Sequence, residues 1–196
     1  MSIIFFSSNK PESYKTDKWR HVFSQWYNSG KIFYGKDGIH DLSAHINKND
    51  WNTFVINKEF HLREQWMMYL KALVFAKDNN REVNLKIATQ IMQTINPFTI
   101  KALGRKVQGY DDVIWNKCKF EIVVNGNYLE FTQNKEMNVI LKNTLNKEIT
   151  EASAKDNIWG IGYYENTAMT VSKDKWGQNL LGKAIMEVRD YLEKHQ

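Results

Sequence analysis

The chain has 196 residues, 42% of them hydrophobic and 25% charged, a balance that suits one soluble domain with its own core and excludes a disordered or fibrous chain. A net charge of +5 and a pI of about 9.1 favour anionic partners such as phosphates, a dinucleotide or nucleic acid. The lone cysteine, Cys118, excludes an internal disulfide framework, and no apolar run approaches the roughly 18 residues of a membrane span. A reducing, cytoplasmic compartment is therefore expected.

The N-terminus, "MSIIFFSSNKPESYK", lacks a charged leader and makes a poor signal peptide. Residues 1–30 mix short apolar runs with turn formers, and "FSQWYNSG" is aromatic and ends in a turn. Residues 31–59 read as loops and short strands, with partial alternation in "WNTFVINKE". A strongly apolar helix is expected from Arg63 to Lys77. A second runs from Arg81 to Asn96, with Ile87, Ile91 and Ile95 on one face, and Pro97 stops it. "PFTIKALG" predicts a short helix that Pro97 opens and Gly104 follows. Apolar spacing favours a further helix from about Asp111, and "KEMNVILKNTL" another. "EITEAS" and "NIWGIGYYE" read as extended segments around a turn. The last helix carries Leu181, Ile185, Val188 and Leu192 on one face. No repeat or linker splits the chain. The expected fold is a mainly helical α+β single domain, residues 1–196, with a few short strands.

The apolar helix poses a chemical question. In "EQWMMYLKALVF" every direction is greasy except one, where Glu64 and Lys71 stand seven positions apart. At about 100° per residue they share a face, with Cα atoms roughly 10 Å apart along the axis. An unpaired buried charge costs several kcal/mol, so this face must meet partners or a polar cavity. A carboxylate there can act as a base or steady a cationic transition state. A desolvated amine can act as a nucleophile or an acid. The residues alone equally admit a structural ion pair, or Lys71 reaching outward to water.

Other stretches point the same way more weakly. Arg105 follows Gly104 and suits bidentate phosphate binding. In "EASAKDNIWGIGYYE", Gly160 and Gly162 allow a sharp turn or close approach beside Trp159, an indole able to stack on a base; a strand with a bulge is the plainer reading. "WGQNLLG" leads into the last helix, whose first N–H groups attract phosphate or simply form a capped start with a packing glycine. The five histidines include no convincing metal set, and neither P-loop nor G-x-G-x-x-G is present. No metal and no cofactor are expected.

Four segments, "EQWMMYLKALVF", "IKALGRKVQGYDDVIW", "EASAKDNIWGIG" and "WGQNLLGKAIMEVR", stand in an order and spacing that resemble the NADAR family, also called YbiA-like. The resemblance covers about residues 54–192, with a weaker echo in "FSQWY". It implies N-glycosidase chemistry on ADP-ribosyl or ribosyl-phosphate compounds. One branch acts on riboflavin-pathway ribosylaminopyrimidine phosphates, and another removes ADP-ribose from guanine in nucleic acid. It places Glu64 and Lys71 in the active site. Asp156 is implied as a further catalytic residue, and Arg105, Trp115, Ser153, Trp159, Gly160, Trp176 and Asn179 as substrate-binding residues. Three departures stand out: Gln65 where the family often has His, Glu130 before Phe131 where it often has Lys, and Ala154 where it often has Pro. The stretch of residues 30–50 looks inserted. At a pocket rim its Phe33 and Tyr34, with Trp51 just beyond it, would stack on a second base and its lysines would meet phosphate; a solvated surface loop is the plainer reading.

The reading that follows is an N-ribosyl hydrolase with a slight lean to ADP-ribosyl-guanine, including nucleic acid that carries it, and no membrane partner. The alternative is a module that binds NAD or ADP-ribose without turnover.

Overall fold

A computed structural model describes residues 2–195. In chain order its elements are β1 (Ile3–Phe6), β2 (Phe33–Tyr34), α1 (Lys48–Asp50), β3 (Glu59–Phe60), α2 (Arg63–Val74), α3 (Arg81–Met92), α4 (Pro97–Gly104), α5 (Asp112–Gln133), α6 (Lys135–Lys142), β4 (Glu148–Glu151), α7 (Glu165–Ala168) and α8 (Leu180–Lys194). The fold is mainly helical with a few short strands, as expected. Packing divides the chain into a middle unit, Asn28–Gln133, and a terminal unit formed by Met1–Tyr27 with Asn134–Gln196.

The middle unit is built round α2, which packs against α3, α4 and α5. Eleven of its twelve residues are buried, which is why the sequence is apolar on almost every side. Two of the polar ones, Gln65 and Arg63, are individually bonded. Gln65 accepts from the His61 N–H at 2.9 Å and donates to the carbonyls of Ile91 and Thr94 at 3.1 and 3.0 Å. Those bonds capture the chain just past α3, so that helix ends at Met92 rather than Asn96, and Ile95 lies 54% exposed. Arg63 donates to Asn127 Oδ1 at 2.7 Å, pairs with Glu130 at 2.7 Å and lies 5.1 Å over the Phe131 ring. The Glu130–Phe131 departure is thus an internal partner for Arg63.

Two glycines let helices approach α2 closely. A Cβ on Gly126 of α5 would meet Trp66 at 2.5 Å, and one on Gly104 would meet Met68 Sδ at 2.1 Å. Gly104 is the last residue of α4, with Arg105 as the C-cap, rather than the residue after the helix. Its purpose is contact, not a left-handed turn. A second difference lies at Trp51–Val55. It forms a π-helical turn in place of the alternating strand, because Asn47 accepts from the Asp50 N–H and starts a helical turn there.

In the terminal unit β1 and β4 pair in parallel, with Phe5 opposite Thr150, and α8 packs on β4. A Cβ on Gly182 would meet the Ile149 carbonyl at 2.1 Å, so the glycine seats α8 on the strand. A small cluster of Phe5, Ala152, Ile161 and Ala168 packs against Trp176.

Candidate functional site

Going round α2 at about 100° per residue, successive side chains meet successive partners. Met68 faces Gly104 of α4, and Gln65 the end of α3. Tyr69 donates to the Phe54 carbonyl at 2.8 Å, and Trp66 to the Ile122 carbonyl of α5 at 2.8 Å. Arg63 meets Asn127 and Glu130. The remaining sector, between the α4 and α5 contacts, holds Glu64 and Lys71. Glu64 is only 3% exposed and Lys71 is half-buried.

Lys71 does not reach outward. Its Nζ lies 4.2 Å from the centre of the Tyr110 ring and 5.7 Å from that of Trp115, within cation–π range of both. Burial lowers the amine below the ordinary lysine range. The Asp112 charge opposes that shift, and the Arg105 charge adds to it. The Tyr110 hydroxyl donates to Asp112 Oδ1 at 2.7 Å. Burial, then Asp112 and Asp111, push that phenol up to about 12. Lys71 and Trp115, both expected, thus converge with two residues that were not, Tyr110 and Asp112, and the expected Arg105 acts on the same amine through its charge. Tyr110 and Asp112 both stand in "GYDDVIW", but an aromatic partner for an amine 39 positions earlier becomes visible only once α4 and α5 are placed.

The other expected residues belong to the terminal unit, where most of them build one turn. Asp156 Oδ1 accepts the N–H groups of Ile158 and Trp159 at 2.9 and 2.8 Å. The Ser153 carbonyl accepts the Asp156 N–H at 3.3 Å, and Gly162 turns the chain at φ 75°. A Cβ on Gly160 would meet the Glu151 carbonyl at 2.8 Å. These bonds replace the extended segment expected over "NIWGIGYYE", since an Asx turn and a positive-φ glycine break strand pairing. Asn179, left-handed at φ 51°, accepts from the Glu151 N–H and donates to the Ile149 carbonyl, both at 3.0 Å. Its amide braces β4. Trp176 packs edge-to-face on Phe5 at 5.9 Å. Trp159 is the half-exposed indole this turn presents.

The inserted stretch differs from its expectation. Phe33 is 1% exposed and stacks on Phe60 at 5.5 Å. Trp51 packs on Trp66 at 6.3 Å and donates its indole N–H to Asp37 at 2.9 Å. Both aromatics belong to the fold, while the third, Tyr34, is 38% exposed. Asp37, His40, Asp41, Lys48 and Trp51 line a cavity of about 470 Å³. Trp66, on which Trp51 packs, stands about 140° round α2 from Lys71. Two carboxylates against one lysine make the cavity a poor phosphate site.

No helix among the described residues is long and apolar enough to cross a membrane. The NADAR domain family model matches residues 9–193. The chain is 36% identical over 173 residues to N-glycosidase R617 of Acanthamoeba polyphaga mimivirus, covering 87% of this chain and 86% of that protein. It is 31% identical over 141 residues to Protein irg-1 of Caenorhabditis elegans, covering 70% of this chain and 63% of that protein. The NMR structure of the E. coli protein YbiA matches with a TM-score of 0.62 at 19% identity, over 98% of this chain and 86% of that one, a likeness of fold. On the strength of these matches, the chain belongs to the NADAR family.

Proposed function

We propose that this chain is an N-glycosidase that hydrolyses a ribosyl C1′–N bond to a flat heterocycle, with ADP-ribosyl-guanine as its substrate class. A hydrolase of N-glycosyl bonds is the class supported by family membership and by extended identity to a protein named an N-glycosidase. The observation that carries the reading is the lowered, half-buried amine of Lys71 on the same face of α2 as the buried Glu64.

In the reaction the C1′–N bond breaks, and its electron pair leaves with the base nitrogen. The ribose carbon gains oxocarbenium character and takes the hydroxyl of water. Glu64 balances that charge or accepts the proton of the attacking water. Lys71 returns a proton to the departing nitrogen, or attacks C1′ of the ring-opened sugar and expels the base, leaving an imine that water hydrolyses to the free sugar and amine. Arg105, exposed at the end of α4, offers a bidentate fork for phosphate. The lean to ADP-ribosyl-guanine over a ribosylaminopyrimidine phosphate rests on the net charge of +5, which collects long anionic ligands.

The test is a parallel incubation with ADP-ribosylated guanine DNA and with a ribosylaminopyrimidine phosphate, following base release by mass spectrometry. Release from the first at the higher kcat/KM supports the substrate class. A preference for the second removes the lean while keeping the reaction. Binding of ADP-ribose with no release from either substrate rejects the enzyme.

A further inference from the structure

The groups that act on the Lys71 amine, by contact or by charge, come from three places among the described residues. The end of α4 supplies Arg105. The loop before α5 supplies Tyr110, with Asp111 close enough to act on its phenol. The first helical residue of α5, Asp112, and then Trp115 complete them. Glu64 shares the amine's own helix face. Among these, Asp112 has an arrangement that the reaction as written does not use.

We propose that Asp112, acting through the Tyr110 phenol, is a positioning residue that fixes the Lys71 amine over the aromatic ring. The proposal rests on the N-glycosidase reading only for its consequence in catalysis.

The geometry supports it in steps. Tyr110 is 43% exposed, so the core alone does not fix its ring. Its hydroxyl bond to Asp112, at 2.7 Å, is the short bond expected when a phenol meets a carboxylate. That bond and the Phe75 ring, 5.5 Å away, hold Tyr110 where its face meets Nζ at 4.2 Å. The carboxylate is steady in turn, because it stands in the first turn of α5, where the helix end favours an anion. The phenol stays neutral, since it is pushed up to about 12, and so remains a donor across the working pH range.

Two influences then oppose each other at the amine. Burial and Arg105 favour its neutral form, while Asp112 and the negative ring face favour the ammonium. The outcome is an amine below the ordinary lysine range that can still exchange a proton. Either role written for Lys71 needs that balance. Without the Asp112 charge the neutral fraction rises and the ring loses its tether.

The experiment reads Lys71 directly and needs no substrate. The full chain is acetylated competitively with acetic anhydride across a pH series, and each lysine's labelling midpoint is taken from peptide mass spectrometry, with Lys86 and Lys101 as internal references. In the wild type, Lys71 should label with a midpoint below both references. Asp112→Asn should lower it further by about 0.5 pH unit, roughly a threefold change in the neutral-to-charged ratio, as expected of one removed charge at this range. Tyr110→Phe keeps the ring and loses the tether, and should move the midpoint the same way by less. If Asp112→Asn melts too low to assay, the Tyr110→Phe result decides.

An unchanged Lys71 midpoint in a folded variant, or an equal shift of all three lysines, overturns the proposal. Failure of the functional reading looks different: the midpoint moves, yet no base is released from any ribosylated substrate. Where base is released, the limb of the kcat/KM profile that belongs to Lys71 should move down with the midpoint. A residue that served only the fold would move neither.

Discussion

Lys71 is held where an ordinary surface lysine would not stay. The sign of its shift has a consequence for stability. An amine lowered by burial binds fewer protons folded than unfolded, so between its folded value and the ordinary lysine value stability rises with pH. At neutral pH its charge is a cost to the fold. Lys71→Met, whose side chain fits an aromatic slot, should therefore melt at or above the wild-type temperature in calorimetry. It should also lose base release by about 10²-fold or more. A variant that loses stability and activity together would make Lys71 structural. The seven-residue spacing made Glu64 and Lys71 legible in the sequence, because helical periodicity is local. The Tyr110–Asp112 pair was not legible, because it depends on where a later loop lands. Asp156 and Asn179 were legible as polar residues in a glycine-rich context, but only the structure shows that both side chains bond backbone amides.

The elements owe their arrangement to α2. Gly104 carries the contact of α4 with that helix, and the residue after it is Arg105. Gly104→Ala would put a Cβ at 2.1 Å from Met68 Sδ and should cost about 1–3 kcal/mol by denaturant unfolding, since Met68 is itself buried. A larger loss of activity than of stability is expected, because Arg105 moves with the helix end. Arg63→Leu should cost more, about 3–5 kcal/mol, because it strands the buried Glu130 carboxylate. Burial raises that carboxyl to about 7, while Arg63 pulls it down. A raised carboxyl binds more protons folded than unfolded, so its contribution falls as pH climbs from the ordinary carboxylate value through about 7. Wild type should therefore lose unfolding free energy relative to Glu130→Gln from pH 5 to pH 8; a constant difference would mean Glu130 stays charged throughout. Most helix positions were readable from apolar period and capping residues. The two stretches misjudged as strands fail for one reason: Asn47 and Asp156 give the backbone local side-chain bonds, which alternation does not register.

For the molecule as a whole, the family match runs from residue 9 to residue 193 and so includes most of both packing units. Its basic balance predicts a graded salt response. If ADP-ribosylated DNA is the substrate, KM for it should rise steeply between low and physiological salt, while a small ribosyl phosphate changes little. Equal salt slopes would remove the argument from charge. In and just beyond the inserted stretch Phe33 and Trp51 serve the fold, whereas Tyr34 stays exposed. The most direct measurement is base release from ADP-ribosylated guanine DNA and from a ribosylaminopyrimidine phosphate, followed by mass spectrometry for the wild type, Glu64→Gln and Lys71→Met under identical conditions. The account predicts free base from at least one substrate with the wild type, and a loss of about 10²-fold or more in both folded variants. Full activity in either variant, or no base released by the wild type, would contradict it.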